Sequence, residues 1–389
     1  MRKVALVGAG ISKFGVRKAS YRDLIWEAGK ACFDSVPGVK PRDVEGLVVG
    51  SVMPERTAFQ SHISSMAAEA LAIRPTALSA RTEHMCASGT VGIRYAYAFI
   101  AAGLADLVMV LGVEKLNQPS GDEAILNMGT GVDREWEASF GLTAPPCFAL
   151  AAQRHIAEYG TTEEQLAMVG VKNHTHASKN PNAHFQRGAT LEQVMGSRMI
   201  SSPLRLFMCS PITDGAAAVI LASEARAREL TDKPVWLRGT GQALDGFTLS
   251  SLHPDYSHWP ALQRAGEDAY GMAGVAPDAV DVAEVHDCFS IAEIIAYEEL
   301  GFCAKGEGGS FVEKGLSDYG GQVVVNPRGG LIGCGHPLGA TGIAQAAEVF
   351  WQLRGEAGPR QVPDARIGLT HNNSGMGEHV VVVYGREAA

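Results

Sequence analysis

Two distant segments of the chain repeat one order of turn and strand. Residues 38–50, GVKPRDVEGLVVG, and residues 274–287, GVAPDAVDVAEVHD, both begin Gly-Val-x-Pro and continue through valine and an acid into an apolar run. Each follows a segment with helical spacing of apolar residues, at 21–37 and 259–273. Because strands that alternate with helices build layered α/β halves, the repeat predicts one α/β unit present twice. Two unrelated α/β segments are the alternative.

Other predicted elements fit two such halves. Helices rich in small residues are expected at 90–104 and 338–354, and short apolar runs predict buried strands at 3–8 and 104–115. The segment 367–385 predicts a closing pair of hairpin-like strands. A period this long, present only twice, excludes a solenoid.

Residues 117–200 break this rhythm, and they contain four histidines: His155, His174, His176 and His184. We expect an inserted substrate-side region with helices near 146–160 and 162–180, after which 210–230 returns to the first half as a strand and a helix. The predicted division is an N-terminal half of residues 1–116 and 201–232, an inserted loop domain of residues 117–200, and a C-terminal half of residues 233–389.

Charge and composition exclude several classes of protein. The net charge of −9 argues against nucleic acid or an anionic membrane as the main partner, and no apolar run reaches the roughly 18 residues that span a bilayer. The first apolar run is too short for a signal peptide. The seven cysteines are scattered and form no Cys-x-x-Cys pair, which is typical of a reduced, cytoplasmic protein.

Cys86 lies in the segment HMCASGTVGIRYA, at the start of a predicted helix. A thiolate is favoured at a helix N-terminus because the helix dipole and the free N–H groups stabilise negative charge. The small neighbours Ala87, Ser88 and Gly89 allow a substrate to approach the backbone. Cys86 is therefore a candidate nucleophile, and a plain buried cysteine is the alternative.

A nucleophilic cysteine needs a base, and His336 lies in the glycine-rich turn GGLIGCGHPLGATG that opens the other small-residue helix. If the halves are duplicated, this turn is the equivalent of the Cys86 turn, and the two turns face one pocket. A turn histidine bonded to the backbone is the alternative. The surrounding glycines favour a functional role because they allow close backbone approach at some cost in stability.

A third cluster, EVHDCFS, follows a predicted buried strand. His286, Asp287 and Cys288 lie at the carboxyl end of that strand, where α/β proteins bind ligands. A metal site is disfavoured here because adjacent side chains on an extended segment point in opposite directions. His371, in the segment THNNSGMG at another strand end, is a fourth candidate.

Two weaker patterns are set aside. The segment GAGISKFG begins like a dinucleotide-binding loop, but Lys13 stands where the third glycine of G-x-G-x-x-G belongs, which disfavours NAD. His174 and His176 lack a cysteine or carboxylate partner at ligand spacing, so we expect a solvated loop there and no metal.

These motifs together resemble the thiolase superfamily over nearly the whole chain. MCASG matches the nucleophile motif of that family, GHPLGATG its Gly-His-Pro motif, and SPITDGAAA its Ser-Gly-x-Asn-Asp-Gly-Ala-Ala segment. HDCF in place of Asn-Glu-Ala-Phe is similar to the sterol-carrier-protein type, with its bacterial and archaeal acetyl-CoA acetyltransferase-like members. The implied α/β fold has two βαβαβαββ halves that form a five-layered αβαβα core with an inserted loop domain.

The resemblance implies a role for each motif residue. Cys86 would take the acyl group from an acyl-CoA thioester. His336 would activate Cys86 and, with His286, contribute to an oxyanion hole. Ser210 falls where the family contacts the pantetheine arm of CoA.

The segment near the C-terminus departs from the family pattern. Many thiolases carry a second cysteine in a Cys-x-Gly motif, where this chain reads His371-Asn372-Asn373. The turn at 372–375, which includes Asn373 and Gly375, would still supply a backbone N–H to a second oxyanion hole with the N–H of Cys86.

The proton-handling thiol must therefore come from elsewhere in the chain. In the sterol-carrier-protein type the cysteine of His-Asp-Cys-Phe appears in that role, which makes Cys288 the expected second acid/base. Cys334 is the second choice for this acid/base, and the alternative is that it serves only as a small packing residue.

The expected function is that of a CoA-dependent thiolase, which cleaves a β-ketoacyl-CoA or condenses two acyl-CoAs through an acyl-cysteine. CoA is then a co-substrate, with no metal and no tightly bound cofactor. The resemblance also implies a homodimer and a small zinc-ribbon/OB-fold partner protein. The alternatives are a thiolase-like retro-aldolase acting on a β-hydroxyacyl-CoA and a non-catalytic acyl-CoA-binding scaffold.

Overall fold

A computed structural model describes residues 2–118, 120–252 and 254–388. Its strands are β1 (Val4–Ile11), β2 (Gly46–Gly50), β3 (Leu78–Thr82), β4 (Leu107–Glu114), β5 (Met199–Ser201), β6 (Leu204–Arg205), β7 (Gly215–Ser223), β8 (Val235–Leu244), β9 (Val282–Glu284), β10 (Val324–Val325), β11 (Ile367–Ser374) and β12 (Glu378–Gly385). Ten of them join in one sheet, in the order β10-β9-β11-β12-β8-β1-β7-β4-β2-β3, and β5 pairs with β6 alone.

The helices alternate with these strands. They are α1 (Tyr21–Asp34), α2 (Pro54–Thr57), α3 (Ile63–Ala70), α4 (Ser88–Ala101), α5 (Gly121–Met128), α6 (Ala144–Tyr159), α7 (Glu163–Ala177), α8 (Leu191–Met195), α9 (Glu224–Leu230), α10 (Pro260–Ala273), α11 (Ser290–Glu299), α12 (Gly308–Glu313), α13 (Gly330–Cys334) and α14 (Leu338–Arg354). No helix in the described ranges is both long enough and apolar enough to cross a membrane.

The two halves of the large sheet have the same topology. Read outward from the centre, β1-β7-β4-β2-β3 and β8-β12-β11-β9-β10 show the same sequence of directions, with two antiparallel pairs followed by two parallel pairs. The halves meet where β1 pairs with β8 through Ala5–Trp236 and Leu6–Val235. The duplication predicted from the repeated turn is therefore present in the sheet.

Close helix–sheet contacts also occur in both halves. A Cβ at Gly10 of β1 would lie 2.2 Å from the backbone nitrogen of Cys32 in α1, and a Cβ at Gly239 of β8 would lie 2.0 Å from the carbonyl of Ala269 in α10. Glycine is needed at these strand positions because any side chain would meet helix backbone. Thus α1 and α10 cover equivalent outer faces of the sheet.

The helices α4 and α14 pack together between the two halves. A Cβ at Gly89 of α4 would lie 2.8 Å from the carbonyl of Gly339 in α14, and one at Gly112 of β4 would lie 2.2 Å from the same oxygen. One apolar cluster surrounds both helices and includes Ile93 and Ile343. The result is five layers, with the helix pair α4 and α14 at the centre. Each helix of this pair is preceded by a turn in which the sequence predicts a candidate site residue.

The inserted region adds helices to the outer face of the C-terminal half. Phe148 of α6 packs against Phe289 with ring centroids 4.8 Å apart and against Trp259 at 6.2 Å. Helices α6 and α7 share an apolar cluster with α10 and α11. This packing buries α11 and α13, the elements that flank the His286 and His336 turns.

Candidate active site

Cys86 lies in a single 3-10 turn, Met85–Ala87, between β3 and α4. Short-range hydrogen bonds hold this turn: Ser88 Oγ donates to the Met85 carbonyl at 2.6 Å and accepts from the His84 N–H at 2.7 Å. Met85 has a φ of +42°, a conformation that costs free energy for a residue with a side chain. The turn therefore presents Cys86, which remains partly exposed, just before the start of α4.

His336 lies in a loop between the short helix α13 and α14, and long-range contacts hold this loop. The buried carboxylate of Asp287 accepts from the N–H groups of Leu331 at 2.6 Å and Ile332 at 3.2 Å. Gly330 has a φ of +57°, and a Cβ there would lie 2.1 Å from Asp287 Oδ2. Asp287 thus fixes the His336 loop against the segment that carries His286 and Cys288.

Hydrogen bonds of Thr341 fix the ring of His336. Thr341 Oγ1 donates to the Pro337 carbonyl at 3.1 Å, so its oxygen accepts from His336 Nδ1–H at 2.8 Å. The proton of the neutral ring therefore lies on Nδ1, and Nε2 carries a lone pair. Nε2 is buried and has no partner among the described residues, so it is free to act as a base.

The structure brings Cys86, His286 and His336 together. One ring nitrogen of each histidine and the Cys86 sulfur all lie within 4.8 Å of one another, and the two rings meet edge-on with centroids 5.0 Å apart. In both rings Nδ1 has another partner, whereas Nε2 is buried without one among the described residues. The Nε2 atoms are therefore the nitrogens available to the sulfur.

Electrostatics keeps this cluster neutral at rest. Burial, together with the nearby carboxylates of Glu114 and Glu83, raises the pKa of the Cys86 thiol to about 12. Burial, with the charge of Arg328, lowers the pKa of His336 to about 3. We expected the helix to favour a thiolate, but desolvation of the sulfur is the larger effect. A substrate therefore meets a neutral thiol and a neutral imidazole.

His286 and Cys288 lie between β9 and α11, as expected for a strand end. His286 is fully buried, and its pKa lies well below the ordinary value because of burial and the neighbouring histidines. Cys288 is outside the three-residue cluster, and burial raises its pKa well above the ordinary value, with smaller contributions from the nearby Cys86 and Asp287. The backbone N–H of Ser210 donates to the Cys288 carbonyl at 2.9 Å, which places Ser210 beside this segment.

The remaining predicted residues near the C-terminus are placed by the β11–β12 hairpin. His371 is buried, and its Nε2 lies 3.1 Å from Nδ1 of His379, so it pairs across the hairpin and does not join the cluster. Asn373 is buried, and its Nδ2 has no partner within the described part of the chain. Gly375 occupies the hairpin turn with a φ of +62°, which favours glycine.

Two residues of the site were not predicted from the sequence. Asn372 Nδ2 lies 3.1 Å from His286 Nδ1, on the opposite side of β11 from its neighbour His371. The buried carboxylate of Glu114 accepts from the N–H groups of Val52 at 2.7 Å and Gly339 at 3.1 Å, which ties β2 and β4 to the start of α14. Strand alternation around His371, and a lone acid at the end of the buried run 104–115, were the available signals.

Two histidines of the inserted region and the thiol of Cys334 lie in the packed interior. His174 and His176 lie buried in α7, not in a solvated loop, because that helix packs its histidine face inward: His176 contacts the Asn326 carbonyl at 2.9 Å and Asp318 at 2.8 Å. Arg328 Nη1 donates to the sulfur of Cys334 at 3.0 Å in the protein interior. This contact supports the alternative role of Cys334 as a small packing residue.

Comparisons with known proteins agree with this architecture. The family model "Thiolase, N-terminal domain" matches residues 4–197, and "Thiolase C-terminal domain-like" matches residues 241–386. An acetyl-CoA acetyltransferase of Methanothermobacter thermautotrophicus is 47% identical over 97% of each chain. Sterol carrier protein 2 of Bos taurus is 38% identical over 98% of this chain and 72% of its own.

Solved structures extend the comparison. A structure described as "Ltp2-ChsH2(DUF35) aldolase" superposes with a TM-score of 0.85 at 26% identity, and covers 99% of this chain and 98% of its own. Human mitochondrial 3-ketoacyl-CoA thiolase in complex with CoA superposes with a TM-score of 0.76 at 18% identity, which shows the shared fold; it covers 100% of this chain and 98% of its own. The predicted α/β fold of two repeated halves is confirmed, and the chain belongs to the thiolase family, as an enzyme of the acyltransferase class.

Proposed function

We propose that the chain is a CoA-dependent thiolase that cleaves a β-ketoacyl-CoA, or condenses two acyl-CoAs, through an acyl-Cys86 intermediate. The observation that carries this proposal is the cluster of one thiol and two imidazoles within 4.8 Å. A thiol beside an imidazole lone pair is the arrangement that nucleophilic catalysis requires. The acetyl-CoA acetyltransferase relatives support the same chemistry.

In the first step His336 Nε2 takes the proton of Cys86 as the sulfur attacks the β-keto carbonyl. The proton moves during attack because neither group is charged at rest. The developing oxyanion is stabilised by preorganised N–H donors, each of which contributes about 3 kcal/mol in well-studied enzymes. We assign one such hole to His286 and protonated His336, and a second to the N–H of Cys86 with one from the 372–375 turn, which Asn373 and Gly375 shape beside His371.

The carbon–carbon bond then breaks, and its electron pair forms the enolate of the departing acyl-CoA. We assign Cys288 as the acid that protonates this enolate. Its pKa is raised by burial, so it holds its proton at neutral pH. The Cys288 thiolate next takes the proton of CoA, whose sulfur attacks the acyl-Cys86 thioester. The Cys86 sulfur leaves and takes back the proton held on His336 Nε2, which releases the second acyl-CoA and restores the resting enzyme. Condensation is the same sequence in reverse.

CoA enters this scheme as a co-substrate, with no tightly bound cofactor required. We propose that Ser210, beside the Cys288 carbonyl, contacts the pantetheine arm. The division into halves at 1–116 with 201–232 and at 233–389, with 117–200 inserted on the substrate side, remains our proposal for the domains. All seven cysteines are free, which fits a cytoplasmic enzyme.

A homodimer and a small zinc-ribbon/OB-fold partner are proposed as the assembly. The structural neighbour described as an aldolase with a DUF35 component supports a partner chain for folds of this type. Size measurement of the purified chain, alone and co-expressed with a DUF35 chain, distinguishes a self-sufficient dimer from a larger complex. A monomer in both measurements would contradict the proposed assembly.

Acylation of Cys86 is tested by intact mass spectrometry. The enzyme is incubated with a panel of acyl-CoAs that includes short, branched and aromatic chains, and a mass increase of one acyl group is expected with at least one of them. Cys86→Ala is the control and forms no adduct; Cys334→Ala is a matched thiol variant that retains it. Absence of an adduct with every thioester would contradict the proposal.

The role of Cys288 is tested by separating the two half-reactions. Cys288→Ala should still form the acyl-Cys86 adduct, while complete turnover falls by about 10²-fold or more, since a lost general acid typically costs this much. Turnover equal to that of the wild type would remove Cys288 from the mechanism.

A retro-aldolase that acts on a β-hydroxyacyl-CoA is the second candidate, because the aldolase neighbour superposes over nearly the whole chain with a TM-score of 0.85. Retro-aldol cleavage transfers no acyl group to a thiol. Cys86→Ala therefore distinguishes the two: a thiolase loses turnover completely, whereas an aldolase retains most of its cleavage of β-hydroxyacyl-CoA.

A further inference from the structure

The amide of Asn372 has a fixed orientation between α4 and His286. Thr90 Oγ1 donates a short hydrogen bond to Asn372 Oδ1, which turns Nδ2 toward His286 Nδ1 at 3.1 Å. Gly342 of α14 makes room for this pair, since a Cβ there would lie 2.0 Å from Thr90 Oγ1 and 2.3 Å from Asn372 Oδ1. The pair is buried, and Asn372 and Thr90 are both 0% exposed.

An amide nitrogen only donates, so His286 Nδ1 must accept. The proton of the neutral His286 ring then lies on Nε2, which is buried and without a partner among the described residues. His336 has the opposite tautomer, because Thr341 accepts from its Nδ1–H. The sulfur of Cys86 therefore faces one imidazole lone pair and one imidazole N–H.

This difference decides what the cluster can bind. One sulfur and two imidazole nitrogens within 4.8 Å form a donor set suited to zinc, which binds thiolate and imidazole nitrogen and leaves a fourth position open in catalytic sites. Metal binding needs a lone pair on both Nε2 atoms. In metal sites the second nitrogen of a ligating histidine donates to a carboxylate or carbonyl, whereas here Nδ1 of His286 accepts from an amide.

We propose that Asn372 is a positioning residue that holds His286 in the Nε2–H tautomer, which makes His286 a hydrogen-bond donor toward the Cys86 site and weakens the binding of a divalent cation by the Cys86–His286–His336 cluster. Its consequence for turnover rests on the proposed function. Its consequences for the tautomer and for metal binding do not, since both concern the free enzyme.

Asn372→Asp reverses the hydrogen bond with little change in shape. The carboxylate accepts from Thr90 and from His286 Nδ1–H, which places the lone pair of His286 on Nε2. We expect Zn²⁺ to bind about 10- to 100-fold more tightly than to the wild type, the range in which outer ligand partners change metal affinity. Turnover should fall by about 10²-fold, as for the loss of one oxyanion donor.

Three measurements test this on the full chain. Competition with a chromophoric chelator gives the Zn²⁺ affinity, Co²⁺ reports a thiolate ligand through its sulfur-to-metal charge-transfer absorption, and ¹⁵N NMR of histidine-labelled protein gives the tautomer, with His286→Gln to assign the signals. The double variant Asn372→Asp/Cys86→Ala should lose the added affinity and the charge-transfer band.

Asn372→Ala covers the case in which the buried acid fails to fold, because it removes the donor without adding charge. We expect it to release the tautomer of His286 and to bind Zn²⁺ more tightly than the wild type. A wild-type His286 that carries its proton on Nδ1 would overturn the inference, as would an unchanged Zn²⁺ affinity in the folded variants. Failure of the proposed function would appear separately, as a wild type that forms no acyl adduct.

Discussion

The turns that precede α4 and α14 occupy equivalent positions in the two halves, yet they are built differently. The turn with Cys86 is partly exposed and is held by neighbours in sequence, such as Ser88, which lies three residues from Met85. The loop with His336 belongs to a wholly buried stretch, residues 323–350, and is held by Asp287, 44 residues away from Leu331. A nucleophile must be reached by substrate, whereas a base must be held in one orientation. The turn before α4 meets the first requirement, and the loop before α14 meets the second.

The largest expected effect concerns the protonation state of the Cys86 thiol. The thiolate is the reactive form, and its fraction falls tenfold for each pH unit below the pKa of about 12. Alkylation of Cys86 by iodoacetamide, followed by peptide mass spectrometry, should therefore accelerate about 1000-fold between pH 7 and pH 10. A small-molecule thiol with an ordinary pKa near 8.5 serves as the control, because its alkylation rate levels off within this pH range. A rate that stays constant between pH 5 and pH 8 would instead show a thiolate–imidazolium pair.

The difference in anchoring is tested by removing one acid from each turn. Asp287→Ala leaves the buried N–H groups of Leu331 and Ile332 without an acceptor, which should lower the free energy of unfolding by about 3 kcal/mol. Glu83→Ala removes an exposed acceptor of the Met85 N–H and should cost only about 0.5 kcal/mol. Urea denaturation of both variants measures the difference. Equal losses would contradict the view that only the His336 loop depends on long-range anchoring.

The smallest effect concerns the tautomer of His336. Thr341 follows His336 by five residues, as Val91 follows Cys86, so Thr341→Val makes one turn resemble the other. The variant leaves His336 Nδ1–H without its acceptor, and acylation of Cys86 should slow about tenfold, equivalent to the loss of about one hydrogen bond. Thr341→Ser keeps the hydroxyl and should retain the wild-type rate. A Thr341→Val enzyme that acylates normally would show that Thr341 does not orient the base.

The sequence predicted the elements well where they follow from local periodicity. Helix α14 begins at Leu338 and ends at Arg354, as its small-residue pattern indicates, and α10 begins within one residue of the predicted bound. The repeated Gly-Val-x-Pro turn predicted the duplication seen in the sheet. The motifs around Cys86, His286 and His336 predicted residues that the fold brings within 4.8 Å.

Contacts between the halves could not be predicted from the sequence. Asn372 reaches Thr90 across 282 residues, and strand alternation in the segment THNNSGMG separates it from Asn373 without indicating this partner. The expected solvated loop at His174 and His176 was wrong because the pattern of α7 does not reveal which other elements cover it. Proton handling by Cys288 and the backbone donors of the 372–375 turn stay predictions.

The sequence by itself determined the repeated α/β unit and the residue types in its turns, because periodicity, glycine and proline act within a few residues of themselves. Only the tertiary structure decided which atoms of those turns meet and in what protonation state. A thiol or an imidazole is charged or neutral according to the water removed around it, and the position of its proton follows from partners that packing alone supplies. The tautomer of His286 therefore depends on how the halves pack together, since Thr90 of one half orients Asn372 of the other.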